Sequence, residues 1–218
     1  MGLGSIAQKA YLPILGRAAD WTLVGGFRPI SKKPSRCATA TVWPVSPVWT
    51  AWPNSATRSL FTAAPRAIFS VIGELLNRGV HVYVDKPLAE TLEQGEQLLE
   101  QAERRGKTLM VGFNRRFAPL YRQLKQQMNQ PASIRMDKHR ADSVGPCTIC
   151  FTLLDDYLHV VDTALWLAGG REQLLSGSLR ANAAGEMLYA EHHFACGDTQ
   201  VTTSMHAAAA ASAKACRR

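Results

Sequence analysis

The apolar positions over residues 69–84 change from a helical period to a strand period. Helical spacing is kept by four side chains, Phe69, Ile72, Leu75 and Leu76. Gly79 follows at the position where a helix typically ends. Residues 80–84 then alternate between valine and His or Tyr. This pattern predicts a helix followed closely by a half-buried strand.

The same order repeats in the next thirty residues. Residues 91–105 predict a second helix, which Thr91 and Gln94 would open as a capping box. Residues 108–113 are mostly apolar, which predicts a second strand. Helices and strands that alternate in this way predict right-handed crossovers and a parallel sheet, which is the α/β class.

The pattern changes character after Phe117. It predicts a helix over 118–128, a strand over 133–138, a helix over 153–168 closed by Gly169 and Gly170, and a hairpin over 188–194 and 199–205. We therefore predict an incomplete Rossmann-like dinucleotide-binding domain over 1–117 and a truncated α+β domain over 118–218.

Residues 28–68 are the least regular part of the chain. A first helix over 5–17 and a strand over 21–24 are predicted before them. The segment itself holds six prolines, and neither apolar period persists in it. The segment is therefore hard to interpret as a folded α/β segment, and we expect order to return near Phe69.

The net charge of +8 is concentrated in two segments. Residues 28–68 carry six Lys or Arg and residues 207–218 carry three, without any acid. A basic patch for nucleic acid needs a structured face with aromatic side chains at stacking positions. The prolines around Trp43, Trp49 and Trp52 argue against one. We expect no nucleic-acid partner.

Composition and cysteine usage exclude other classes. The chain is 46% apolar and 19% charged, which excludes a disordered chain, and no apolar run is long enough to predict a membrane span. The five cysteines are scattered, with one close pair, Cys147 and Cys150. A metal or redox role for this pair is the lesser alternative, so we expect reduced thiols, no metal and a cytoplasmic location.

Three side chains in the predicted helix over 153–168 lie on one face. Asp155, His159 and Asp162 are spaced at i, i+4 and i+7. A histidine between two carboxylates suits general acid–base chemistry, because nearby carboxylates raise its pKa while burial lowers it. The alternative is a buried histidine with satisfied hydrogen bonds, or a solvated face.

Polar side chains also follow the predicted strands. Asp85, Lys86 and Pro87 end the first strand, and Asn114 and Arg115 follow the second. Ligands of open parallel sheets bind at the carboxyl ends of the strands. These residues therefore either contact a ligand there or form ordinary solvated turns.

The chain opens with Gly2-Leu3-Gly4-Ser5-Ile6-Ala7, which has the form of a phosphate-binding turn between a strand and a helix. Together with GVHVYVDKPLAET at 79–91, LMVGFNRRFAPLY at 109–121 and LLDDYLHVVDTALWLAGG at 153–170, it resembles the Gfo/Idh/MocA family of NAD(P)-dependent sugar and polyol oxidoreductases. Within that family the resemblance is greatest to the MviM-type oxidoreductases of enterobacteria.

The resemblance implies a function and a role for each motif. It implies hydride transfer between NAD or NADP and a secondary alcohol of a sugar-like small molecule, and a homo-oligomer if the second domain is intact. His159 would be the base, Asp155 would orient it and Lys86 would polarise the substrate oxygen. Cofactor contacts would come from Gly2, Gly4, Ser5, Ile6, Ala7, Asp85, Lys86, Pro87, Asn114 and Arg115.

Several segments depart from the family pattern. No strand precedes Gly2, and residues 28–68, 147–150 and 207–218 have the composition of a shifted reading frame. We hypothesise that the chain is a truncated, frame-shifted relative. The alternative function is then a degraded fragment or a ligand-binding relative that does not turn over a cofactor.

Overall fold

The computed structural model describes residues 9, 11–15, 20, 26–27, 45–46, 58–61, 65–140, 143–145 and 148–207. The chain divides into two compact units, Met1–Gly112 and Phe113–Arg218. The first unit has parallel strands with flanking helices, and the second has a mixed sheet covered by a helix. An α/β unit followed by an α+β unit confirms the predicted fold class.

The first unit is centred on a three-stranded parallel sheet in the order β3-β4-β5. The strands are β3 (Arg58–Phe61), β4 (His81–Asp85) and β5 (Leu109–Gly112), and the helices α2 (Pro65–Asn77) and α3 (Leu92–Arg105) lie between them in sequence. Val82 and Val84 alternate with less buried neighbours along β4. The core comprises Ile68, Val71, Ile72, Leu75, Leu76, Val80, Val82, Val84, Leu98 and Ala102.

Local signals fix the ends of these helices. Thr91 Oγ1 accepts a hydrogen bond from the Gln94 amide at 3.3 Å, which confirms the N-cap of α3. The Gln94 side chain accepts from the amide of Glu90, one residue before the position that a capping box uses. Gly106 ends α3 with a φ of 60°, a conformation that favours glycine.

The predicted irregular segment contains strands that the sequence analysis missed. The prediction for residues 28–68 was wrong at β3, which pairs in parallel with β4 from Arg58 to Phe61. Within the same segment, the two-residue strand β2 (Val45–Ser46) pairs in parallel with β1 (Gly26–Phe27), which lies just before the segment. Helix α2 begins at Pro65, four residues before the position near Phe69 at which the sequence predicted that order returns. The sheet partner, rather than a local apolar period, holds β3 in place.

The beginning of the chain is described only in part. The predicted first helix is present as α1 (Leu12–Leu15). The predicted strand at residues 21–24 lies outside the described residues, as does the glycine-rich turn at residues 2–7.

The second unit is a four-stranded mixed sheet in the order β6-β9-β8-β7. Its strands are β6 (Ser133–His139), β7 (Glu172–Ala181), β8 (Met187–Cys196) and β9 (Thr199–His206). Helix α4 (Pro119–Gln127) precedes β6 in the chain. The predicted hairpin is confirmed, because β8 and β9 pair in antiparallel fashion around Gly197. Strand β7 was not predicted from the sequence, because its ten residues are all exposed at the edge of the sheet.

The predicted helix over 153–168 consists of two helical forms. A short helix α5 (Ile149–Thr152) leads into a π-helical turn (Leu153–Tyr157), and α6 (Leu158–Ala168) completes the segment and packs on β6 and β9. Gly169 ends α6 with a φ of 69°, as predicted. Among the described residues, no helix has the length and apolar character needed to cross a membrane.

Candidate active site

The first group of predicted site residues lies at the carboxyl end of β4. Asp85 is the last residue of that strand, and its Oδ1 accepts a hydrogen bond from the Lys86 amide at 3.0 Å. Lys86 is half-buried, and Pro87 is buried behind a cis peptide bond. The strand therefore ends in a carboxylate and an ammonium group next to each other in sequence.

A pair of tyrosines borders this end of the sheet, and the sequence analysis did not identify it. Tyr83 points to the same face of β4 as Asp85, and its hydroxyl lies 3.4 Å from that of Tyr11. A Cβ atom added to Gly112 would lie 2.5 Å from Tyr83 Oη, so the phenol lies against the β5 backbone. Burial raises the pKa of Tyr11 above its usual range, with a further contribution from its hydrogen bond to Tyr83.

The second group opens the second unit. Asn114 and Arg115 are the first residues of a 3₁₀ turn (Asn114–Phe117), where Asn114 is exposed and Arg115 is half-buried. Arg116, the next residue of this turn, stacks with its guanidinium 5.3 Å from the centre of the Phe113 ring. An amide and a guanidinium near the surface are suitable donors for phosphate or hydroxyl oxygens.

The third group lies on the π turn and α6. Asp155 belongs to the π turn and is exposed, whereas His159 is in the first turn of α6 and is half-buried. Both side chains remain accessible from solvent. A π turn is rare in helices and is frequently found at functional sites.

The carboxylate of Asp156, the residue after Asp155, faces the sheet. It accepts a hydrogen bond from Lys138 Nζ at 2.6 Å and forms a second ion pair with Arg140. Burial alone would raise the pKa of Asp156, but the hydrogen bonds and positive charges of Lys138 and Arg140 outweigh it and hold that pKa below its usual value. These contacts attach one side of the π turn to the end of β6.

Tyr157 attaches the π turn to the centre of the sheet. Its hydroxyl lies 2.7 Å from Thr203 Oγ1 and 3.0 Å from His192 Nδ1, and it donates to the Thr203 carbonyl oxygen at 3.1 Å. Burial raises the pKa of Tyr157 to about 12. Burial also lowers the pKa of His192, with a contribution from the charge of His193. The ring of Tyr157 is 3% exposed, so this side chain is part of the core.

Asp162 does not present an accessible carboxylate beside His159, as the helical spacing suggested. Its side chain is 6% exposed and forms a two-oxygen ion pair with Arg116, whose Nε lies 3.1 Å from each carboxylate oxygen. The carboxylate charge is therefore balanced by a guanidinium. Neither the sequence distance nor a helical period connects Arg116 with Asp162, so the sequence analysis missed this partner.

The described metal-ligating and thiol side chains do not assemble into a metal centre. Within the described ranges, no cluster of three or more His, Cys, Asp or Glu side chains is placed to hold a metal ion. Cys150 is an exposed free thiol and Cys196 is a buried one. Cys147 lies outside the described residues.

Comparison with known families covers both units. The model of the Gfo/Idh/MocA oxidoreductase family, described as an NAD-binding Rossmann fold, matches residues 1–113. The chain belongs to the Gfo/Idh/MocA oxidoreductase family. A second model, the C-terminal domain of YceM-like proteins, matches residues 119–217 of this Gfo/Idh/MocA chain.

Three relatives match between 45% and 96% of the chain. YceM of Salmonella typhimurium is 53% identical over 206 residues, which cover 94% of this chain and 67% of that protein. The crystal structure of the dehydrogenase MviM from Clostridium difficile superimposes with a TM-score of 0.87 at 37% identity, covering 96% of this chain and 70% of that one. An inositol 2-dehydrogenase/D-chiro-inositol 3-dehydrogenase of Shouchella clausii is 33% identical over 104 residues, or 45% of this chain and 30% of that protein.

Proposed function

We propose that the chain is an NAD(P)-dependent oxidoreductase that transfers a hydride between nicotinamide and a secondary alcohol of a sugar- or polyol-like substrate. The observation that carries this proposal is the arrangement around the π turn. Asp156 and Tyr157 are anchored to the sheet, while Asp155 and His159 stay accessible on either side of them. An anchored backbone with an accessible carboxylate and imidazole suits the removal of a proton from a bound alcohol.

The donor set suits a dinucleotide. Lys86 directly follows the last residue of β4, and its ammonium would hold ribose or substrate hydroxyls, since parallel sheets typically bind ligands at the carboxyl ends of their strands. Asn114 and Arg115 would donate to the cofactor, and Asp85 and Pro87 would shape its edge of the site. Gly2, Gly4, Ser5, Ile6 and Ala7 would bind the pyrophosphate through backbone amides. Bound nicotinamide supplies the hydride acceptor, or the donor in the reverse direction.

The protein residues would manage the proton. His159 would take the proton from the substrate hydroxyl through an imidazole nitrogen, and Asp155 would hold the imidazole in the required orientation. Lys86 would donate a hydrogen bond to the same oxygen and so stabilise its developing negative charge. The polyol substrate class is supported by the similarity to the inositol dehydrogenase of Shouchella clausii.

Fluorescence titration with NADH and with NADPH tests the cofactor part of this proposal. We expect binding to the purified chain and a roughly tenfold or greater loss of affinity in Lys86→Met, because a charge-assisted hydrogen bond contributes about 1.5–3 kcal/mol. Lys107→Met is the matched control, since Lys107 precedes the amino end of β5. If neither NADH nor NADPH binds, the result would favour the alternative that the chain is a non-catalytic relative of the family.

A panel of polyols and sugars with NAD⁺ and NADP⁺ tests the reaction. We expect His159→Gln to reduce turnover by about 10²–10⁴-fold, the usual contribution of a general base. The same variant should retain NADH affinity, because His159 is assigned to the substrate. A His159→Gln variant with full turnover would exclude His159 as the base.

A further inference from the structure

Arg116 and Asp162 join two parts of the second unit that are distant in sequence. Asp162 Oδ1 and Oδ2 each accept a hydrogen bond from Arg116 Nε at 3.1 Å, and Arg116 Nη2 also contacts Oδ1. The Asp162 side chain is 6% exposed, while that of Arg116 is 41% exposed. A buried carboxylate held by a planar guanidinium has little freedom to reorient.

The residues on either side of this pair are those of the proposed site. Arg116 follows Asn114 and Arg115 in the same 3₁₀ turn. Asp162 lies three residues after His159 in α6, where Thr163 Oγ1 donates to the His159 carbonyl oxygen at 2.6 Å. The helix is therefore regular between His159 and Asp162, and the two side chains are neighbours on its surface.

We propose that Arg116 and Asp162 are a positioning pair that holds the His159 helix against the turn of Asn114 and Arg115 and balances the charge beside the imidazole. The proposal rests on the proposed role of His159 as the base. With the pair intact, one negative and one positive charge lie near His159. Removing either partner leaves the other uncompensated in a partly buried place.

Other charged or titratable groups lie on the elements near α6. Asp155 is on the π turn, and Asp156 is already paired with Lys138 and Arg140. Lys125 of α4 donates to the carbonyl oxygens of Trp166 and Leu167 at the far end of α6. His192, on β8, contacts Tyr157 of the π turn. The proposed substitutions remove none of these groups, so a change at His159 reports the Arg116–Asp162 pair.

The test measures the protonation of His159 by NMR of the full chain with ¹³C-labelled histidine. The chain has six histidines, and His159→Gln assigns the resonance. Arg116→Gln should raise the ratio of imidazolium to imidazole at a given pH, and Asp162→Asn should lower it. Each change should be roughly threefold, the effect of a unit charge about 6 Å away in water. Arg116→Lys, which keeps the charge, should restore the ratio.

An ion pair that does not act electrostatically on His159 would not produce opposite changes. Loss of packing alone would move both variants in the same direction or leave both unchanged, and either result would overturn the proposal. Arg78→Gln is the control, since it breaks the Arg78–Glu74 pair in the other unit and should leave His159 unaffected. If Asp162→Asn does not fold, the more exposed Arg116→Gln and its rescue by lysine decide alone. Cofactor titration of the unaltered chain separately tests the proposed function.

Discussion

The hydroxyl oxygen of Tyr157 lies 2.7 Å from Thr203 Oγ1, and this contact joins the π turn to the neighbouring strand β9. Both side chains are buried, with exposures of 3% and 0%. A hydrogen bond in such a place matters chiefly because its loss leaves polar atoms without water or a partner. The turn that carries Asp155 therefore depends on a residue that does not face the proposed substrate.

Removing this hydroxyl should destabilise the second unit. We expect Tyr157→Phe to lower the free energy of unfolding by about 1–3 kcal/mol, because Thr203 loses its buried partner. Urea denaturation measures the change. Tyr121→Phe is the control, since the half-buried Tyr121 has no hydrogen bond to its hydroxyl within the described part of the chain and should change stability by less than about 0.5 kcal/mol. Equal effects in the two variants would contradict this prediction.

The lowered pKa of His192 predicts a loss of stability in weak acid. In the unfolded chain this imidazole binds a proton near its ordinary pKa of 6.5, whereas in the folded chain it does so only at lower pH. Its contribution is therefore complete above 6.5 and declines as the pH falls toward the folded pKa. His192→Gln should have a shallower dependence of unfolding free energy on pH between 5 and 8. Identical slopes for the two proteins would refute the prediction.

The lowered pKa of Asp156 predicts a different window. Its carboxylate stabilises the fold above its ordinary pKa of 3.8, and that contribution is lost as the pH falls through the lower pKa of the folded state. We expect Asp156→Asn to cost about 1–2 kcal/mol at neutral pH, since Lys138 and Arg140 lose a charged acceptor. The difference in unfolding free energy between Asp156→Asn and the unaltered chain should disappear as the pH falls below 3.8. The control is Asp198→Asn, which changes an exposed carboxylate and should have little effect on the free energy of unfolding. If Asp156→Asn remains less stable than the unaltered chain in acid, the ion pairs are not the cause.

Gly112 should tolerate no side chain while Tyr83 is present. An added Cβ would meet Tyr83 Oη at 2.5 Å and Cζ at 3.0 Å, so Gly112→Ala forces the phenol or the strand to move. Tyr83→Phe removes the nearer atom. We therefore expect Gly112→Ala to cost more stability in the unaltered chain than in the Tyr83→Phe background, with a coupling of about 0.5–3 kcal/mol in a thermal or urea double-mutant cycle. Additive effects would mean that the two residues do not compete for space.

Local sequence signals were sufficient to predict the helices and strands in which buried and exposed side chains follow a regular pattern. Val82 and Val84 produce the period of β4 because they are buried, and Thr91 and Gly106 mark the ends of α3 through hydrogen bonds and backbone conformation. In β7 all residues are exposed, so no alternation was required and none was detected. Its strand conformation comes from pairing with β8.

The residues of the candidate site also divide into those that the sequence predicts and those that only the tertiary structure shows. Asp155 and His159 could be selected from the sequence because helical spacing is a local property. The ion pair of Arg116 with Asp162 joins positions 46 residues apart, and no spacing rule identifies it. The π turn was also missed, since its anchors on β6 and β9 are supplied by the tertiary structure.

The π turn holds one more residue per turn than the helix that follows it. Closing it to an α turn would absorb the deletion of Leu153 or Leu154 without altering the phase of α6. The same deletion inside α6, between His159 and Asp162, would rotate one side chain about 100° away from the other. Variation in length among relatives should therefore be accommodated before Asp155, whereas the stretch from His159 to Asp162 should keep a constant length.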